Sequence, residues 1–233
     1  MPSPHAPFAP DLERWRPWSP QEVAARFRNV NARWCIAAGW AIDLFLAGEA
    51  GEAREHEDIE IAVPAHEFEL LSAALDDCDL FVVDSGLATP LAHASARLLA
   101  ASHQTWVRDR TSGDWRLDVF REPSHDGKWV ARRDSRIQLA YEELILVDAN
   151  GIPFACPDVV LLFKAKALRP KDQLDFDRVL PRLDPRRRQW LLGALGLAHP
   201  GHPWLGPLAP GLQSQEAILP YKAGRRRPLM CCR

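Results

Sequence analysis

The chain has 233 residues, 47% of them hydrophobic and 26% charged, with a formal net charge of −2. That balance belongs to a soluble globular protein with room for one large or two small cores, and no apolar run approaches the roughly 20 residues that span a bilayer. The charge is uneven: Lys222, Arg225, Arg226, Arg227 and Arg233 crowd the C-terminal end against the single acid Glu216, which leaves a mildly acidic body and not the basic stripe of a dedicated nucleic-acid binder.

Residues 1–18 are rich in Pro and aromatics and read as irregular, without the basic start and apolar centre of a secretory signal. Ser19-Pro20-Gln21-Glu22 is a helix start, with a Ser cap, Pro in the first turn and Glu three residues after the cap; Val23, Phe27 and Val30 follow at helical spacing. Trp34 to Ala37 reads as a short buried strand, and Gly39 opens an apolar helix containing Trp40, Ile42, Leu44, Phe45 and Leu46. A polar loop leads to a strand at Asp58–Val63, then an amphipathic helix over about Ala65–Leu75 with Phe68, Leu71 and Leu75 on one stripe. Leu80–Val83 is a further strand, and Gln104–Arg108 and Trp115–Phe120 flank the turn-rich Thr111-Ser112-Gly113-Asp114 as a hairpin. Arg136–Leu139 and Leu144–Val147 are weaker strand candidates. From Pro157 the pattern is helical: a run to Lys164 and Lys166, a break at Pro170, a helix with Leu174, Phe176, Val179 and Leu180, and another with Trp190, Leu191, Leu192, Leu195 and Leu197. The sum is a mixed α/β front part and a small helical end, divided near residue 156.

Five cysteines, Cys35, Cys78, Cys156, Cys231 and Cys232, show no metal-type or redox spacing; the first three are expected as buried or semi-buried free thiols in a reducing cytoplasm.

The segment REHEDIEIAV (54–63) stands apart. Alternate residues of an extended chain face opposite ways, so Asp58 and Glu60 share one face while Ile59, Ile61 and Val63 share the core face. Two neighbouring acids repel and fit strands poorly. Either they face open water at a sheet edge, or a cation sits between them.

Ala38-Gly39-Trp40 before a helix, then Asp58-Ile59-Glu60-Ile61, then Leu117-Asp118-Val119 on a separate strand resembles the polymerase-β-like nucleotidyltransferase superfamily. AAGWAIDLFLAG followed by REHEDIEIAV is similar to its aminoglycoside and lincosamide nucleotidyltransferase group, as are IPFACPDVVLLFKAKALRPKDQLDF and HPGHPWL; the resemblance runs from Asn31 to Leu205. Two departures from the group are Ala38, where Gly is usual, and Glu60, where Asp is usual.

The resemblance implies an α+β (α/β) fold, a nucleotidyltransferase-type mixed β-sheet flanked by helices with a small helical C-terminal region. It implies a catalytic domain over 19–156 and a helical region over 157–205; composition adds the irregular segment 1–18 and a basic, disordered tail over 206–233. It also implies a cytoplasmic enzyme of the antibiotic-resistance kind. This enzyme moves a nucleoside monophosphate from a nucleoside triphosphate, with ATP the expected donor, to a hydroxyl of a small molecule, using Mg²⁺. Two such ions about 3.5–4 Å apart can clamp attacking and leaving oxygens, and hard cations take oxygen ligands. Asp58, Glu60 and Asp118 are the expected metal ligands and catalytic residues, with Asp118 placed to take the acceptor's proton. Gly39, Trp40, Arg54, Lys164 and Lys166 are the expected nucleotide contacts, the first through free backbone N–H groups at the helix start. Lys164 and Lys166 are two apart and cannot share a helix face. His56 reads as a structural hydrogen-bonder, Asp43 as a brace, and His199 and His202 as packing residues. The partners implied are a nucleoside triphosphate and a small hydroxylated acceptor, with no nucleic acid and no membrane. Two alternatives share the superfamily: a toxin modifying RNA or protein, and an inactive nucleotide binder.

Overall fold

A computed structural model describes residues 6–47 and 55–209. In chain order the elements are α1 (Pro20–Arg26), β1 (Cys35–Ile36), α2 (Ala38–Leu46), β2 (Glu60–Pro64), α3 (Phe68–Ser72), β3 (Cys78–Asp84), β4 (Leu87–Pro90), α4 (Ala96–Ala101), β5 (Gln104–Asp109) and β6 (Trp115–Glu122). There follow β7 (Ser124–His125), β8 (Lys128–Val130), β9 (Gln138–Ala140), α5 (Tyr141–Leu144), β10 (Ile145–Val147), β11 (Pro153–Ala155), α6 (Pro157–Lys164), α7 (Pro170–Val179), α8 (Pro185–Ala198) and α9 (Leu205–Leu208).

Eight strands form one mixed sheet in the order β10-β11-β1-β2-β6-β5-β3-β4, and β7-β8-β9 form a small antiparallel sheet. The sheet forms where alternation is strong. Ile59, Ile61 and Val63 on and before β2, and Leu117 and Val119 on β6, are buried on one face and join a single hydrophobic cluster with Phe27, Leu71 and Leu75. The helix start at Ser19 is as read: its hydroxyl accepts from the Glu22 N–H while Glu22 accepts from the Ser19 N–H, a capping box. The expected hairpin is present, with β5 and β6 antiparallel.

Several details depart from the sequence reading. Ala65–Leu75 is broken, with α3 flanked by 3-10 turns at Ala65–Glu67 and Ala73–Leu75. The apolar helix begins at Ala38, not Gly39. Residues 6–18, expected to be irregular, are attached to the sheet: Phe8 bridges to Ala88 and Trp15 to Trp115, and Phe8 and Trp15 pack on a second cluster built from Phe81, Val83, Ala88 and Trp115.

The helical end runs past Leu205. Leu208 is fully buried, and Arg188 donates to the carbonyls of Leu208 (2.9 Å) and Pro207 (2.5 Å). Residues 206–209 therefore belong with the helices, and the remainder of the expected tail lies outside the described residues. Burying a leucine contributes about 1.5–3 kcal/mol. A chain ended after Leu205 is expected to melt several degrees below one ended after Ala209; equal melting temperatures in paired thermal scans would show that Leu208 contributes nothing.

Cys35, Cys78 and Cys156 are buried free thiols. Among the described residues no helix is long and apolar enough to cross a membrane.

Candidate active site

The site is built where β1 hands over to α2 beside β2. β1 lies antiparallel to β2, and the Ala37 N–H donates to the Glu60 carbonyl at 2.7 Å, which ties the end of β1 to the first residue of β2. The chain then turns sharply. Ala38 is left-handed, at φ +49°, and α2 begins there with no side-chain cap. Its first N–H groups are left for another acceptor, beside Glu60. Alanine in this conformation carries strain that glycine escapes. Ala38→Gly is expected to stabilise the protein by about 0.5–1 kcal/mol, raising the melting temperature by roughly 2 °C; a lower melting temperature would show that the Cβ earns its place by packing.

β2 and β6 are parallel, with Glu60 directly opposite Asp118. Partners in register point to the same side of a sheet, so the two carboxylates share a face, and the next pairs, Ala62 with Phe120 and Pro64 with Glu122, continue it. The Asp118 N–H donates to the Ile59 carbonyl (2.9 Å), which holds the Asp58 end of the segment against β6. Asp58 and Glu60 line a cleft of about 440 Å³ together with Ala37, Ala38, Gly39, His56 and Glu57.

Asp118 lies almost wholly buried beside them, 5% exposed. Gln104 donates to its Oδ2 (2.7 Å), while its Oδ1 is buried near the Trp106 indole, which acts on the carboxylate from outside hydrogen-bond geometry. Burial pushes this carboxyl up to about 7, Gln104 and Trp106 oppose the shift, and the charge of Asp58 adds to it.

The loop before β2 is pinned by a buried tie. His56 Nε2 and Asp43 Oδ2 are 2.7 Å apart, and Arg178 from α7 donates to Asp43 Oδ1 at 3.2 Å. Burial alone would raise Asp43, but His56 and Arg178 outweigh it and hold the carboxyl below its usual range. Trp40 stacks on His56 with ring centroids 4.4 Å apart and donates from Nε1 to the Asp58 carbonyl at 3.2 Å. Trp40 thus positions Asp58 through its backbone. Asp43 is the brace expected of it.

Cations face the acids from the far wall. Lys164, Arg169 and Lys171 line the same cleft. Lys164 is nearly buried, its Nζ 2.8 Å from Asp175 and 3.3 Å from Asp172. Arg169 is hydrogen-bonded to Asp172, which raises its pKa most, with smaller contributions from Glu60 and Asp58. Lys166 is exposed in the turn after α6, separated from Lys164 as the helical spacing requires. Arg54 lies outside the described residues.

The cation expected here needs oxygen ligands, and Asp58, Glu60 and Asp118 offer only those, with Asp118 Oδ1 buried beside the Trp106 indole. The residues fit a hard divalent ion. Among the described residues no three His, Cys, Asp or Glu groups stand together closely enough to enclose a metal ion already.

The family model for aminoglycoside-2''-adenylyltransferase matches residues 21–105. The chain is similar to the aminoglycoside nucleotidyltransferases. The matched part contains β1, the start of α2 and both acids Asp58 and Glu60, and stops before Asp118. No curated protein matches. Among solved structures, the solution structure of the antibiotic-resistance factor ANT(2'')-Ia is 15% identical with a TM-score of 0.48, covering 75% of this chain and 88% of that one. The crystal structure of ANT(2'')-Ia in complex with adenylyl-2''-tobramycin is 13% identical with a TM-score of 0.49, covering 76% and 95%.

Beyond the residues that carry the likeness to aminoglycoside nucleotidyltransferases, the cleft has an inner end that sequence reading missed. Glu122, Trp129, Arg132 and Tyr141 line it. Trp129 Nε1 donates to Glu122 Oε2 (3.1 Å) and Arg132 approaches Oε1 at 3.3 Å. Burial pushes Glu122 up to about 7, opposed by Trp129 and the charge of Arg133, and lowers Arg132 to about 10, with Arg133 adding to that shift. Glu122 was findable: it lies two alternations beyond Asp118 on the same strand face. Arg132 comes from a turn and Tyr141 from the four-residue α5, both too short to carry a periodic signal. His202 Nε2 meets the Ala165 carbonyl (3.1 Å), and Trp204 stacks on Phe176 at 4.3 Å, so the HPGHPWL stretch packs α9 onto α6 and α7.

Proposed function

We propose that this protein transfers a nucleoside monophosphate from a nucleoside triphosphate, ATP by preference, to a hydroxyl of a small antibiotic of the aminoglycoside kind, with Mg²⁺. The observation that carries this reading is the register of β2 and β6, which sets Glu60 directly against Asp118, with Asp58 lining the same cleft as Glu60, at the start of an uncapped helix. The family match over residues 21–105 supports the reaction class.

Asp58, Glu60 and Asp118 would hold the metal, which when bound neutralises the polyphosphate and polarises the oxygens that react. The chain's own groups do the rest. The free N–H groups at the start of α2 receive a phosphate, an anion at a helix N-terminus. Arg169, and Lys164 within the limits of its two aspartate partners, add positive charge opposite the acids. Asp118, whose ionised and neutral forms are close in energy near pH 7, is suited to accept the acceptor hydroxyl's proton. The Arg178–Asp43–His56 tie and Trp40 keep the loop carrying Asp58 in place.

A panel of triphosphates and hydroxylated antibiotics incubated with Mg²⁺ and read by mass tests the proposal. One added nucleotidyl group on one acceptor class supports it. Metal-dependent binding of a non-hydrolysable triphosphate in a calorimeter, without any modified acceptor, would favour the inactive nucleotide binder; the left-handed Ala38 is the observation on its side.

A further inference from the structure

The inner end of the cleft carries polar groups that neither the fold nor the acid site uses. Tyr141 is 6% exposed, lines the cleft, and its hydroxyl has no hydrogen-bond partner. Ser124 lies near enough to act on that hydroxyl, holding its pKa down against burial, but outside hydrogen-bond geometry, and is itself hydrogen-bonded to His66 Nδ1 (3.0 Å). Arg132 also lines the cleft; one of its terminal nitrogens faces Glu122, and the other, Nη1, is buried with no partner. A buried donor left unmade costs free energy, so two of them at one end of a cleft call for a ligand oxygen.

The charges there are already matched. Arg132 faces Glu122, and Arg33, stacked over the Tyr141 ring, donates from Nε to Glu67 at 2.7 Å. An ammonium group entering would meet two guanidinium groups, and a carboxylate or phosphate would meet the Glu122 carboxylate. A neutral hydroxyl meets neither penalty, and it satisfies both orphan donors. Trp129, Phe163, Leu144 and Ile145 form the apolar walls. This end lies four residues along β2 and β6 from the acids, about 13 Å at about 3.3 Å per residue, so it reads a part of the acceptor remote from the hydroxyl that reacts.

We propose that the inner end of the cleft is the acceptor's specificity subsite, taking an uncharged, hydroxyl-bearing edge of an amino-sugar antibiotic through the Tyr141 hydroxyl and Arg132 Nη1. This rests on the nucleotidyl-transfer reading above.

The test uses the full chain with ATP, Mg²⁺ and tobramycin, comparing the wild type, Tyr141→Phe and Arg132→Lys. Tyr141→Phe removes one oxygen that has no partner in the free protein, so its melting temperature should hold or rise. The KM for tobramycin should rise about three- to tenfold, the range that one neutral hydrogen bond commands, and should rise more than the KM for ATP. Arg132→Lys keeps the charge opposite Glu122 but loses the planar fork, and should move the tobramycin KM in the same direction. An unmoved tobramycin KM in Tyr141→Phe overturns the subsite. So does a larger change in the ATP KM, which would give this end to the donor, and so does a fall in melting temperature, which would give the hydroxyl a structural partner. Wild-type protein that binds ATP in a calorimeter but not tobramycin overturns the subsite and leaves nucleotidyl transfer standing; protein that binds no ATP overturns both.

Discussion

Asp58→Asn is expected to lower nucleotidyl transfer by about a thousandfold or more, some 4 kcal/mol of transition-state stabilisation, without unfolding the protein. Asp58 lines the cleft beside Glu60, and its charge bears on both Asp118 and Arg169. Metal-free, it is a like charge next to two other acids, so its removal relieves repulsion and should lower the Asp118 pKa. The isosteric amide preserves size, and the Trp40 indole bonds the backbone carbonyl of residue 58, not its side chain. Melting temperature without Mg²⁺ should therefore match the wild type or exceed it slightly. A large loss of thermal stability in the metal-free variant would assign Asp58 a structural role.

In chelator, the folded protein should lose stability as pH rises from about 4 to about 7, and Asp118→Asn should remove much of that loss. Asp118 stands at about 7 in the fold against 3.8 when unperturbed. Between those values the native state holds a proton that the unfolded chain has released, so stability falls with pH across that window and levels above it. For a group this buried the span is worth on the order of 4 kcal/mol at most. Glu122 shares the sign and part of the window, so the comparison of wild type with Asp118→Asn isolates Asp118. Added Mg²⁺ favours the ionised carboxylate and should flatten or reverse the wild-type slope. Denaturant titrations at pH 5 and pH 8 measure this; equal slopes in wild type and Asp118→Asn would mean that Asp118 ionises freely in the fold.

The acid strand was legible because two signals agreed there. The alternation of Ile59, Ile61 and Val63 fixed the buried face, and that placed Asp58 and Glu60 together before any partner strand was known. The partner was legible too, since WRLDVF alternates around Asp118; its register against Glu60 was not, because pairing between strands 58 residues apart in sequence leaves no local trace. The strands β1, β7, β8, β9 and β11 have two or three residues each, too few for a period to show. One missed hairpin had a signal: Asp126-Gly127 joins β7 to β8 with both residues left-handed, at φ 48° and 72°, and Asp-Gly between extended runs is a strong hairpin marker. Leu208 escaped because a single buried leucine after Pro-Gly-rich sequence carries no period. The inner end of the cleft escaped for a different reason: Glu122, Arg132 and Tyr141 come from three elements and meet only in the fold.

The most direct test of the central claim is the mass of tobramycin after incubation with ATP, Mg²⁺ and the full chain, run beside Asp58→Asn. The account predicts one added adenylyl group with the wild type, with pyrophosphate released, and unmodified tobramycin with the variant. Equal modification by both proteins, or none by a folded wild type that binds ATP with Mg²⁺ across a panel of triphosphates and hydroxylated antibiotics, would contradict it.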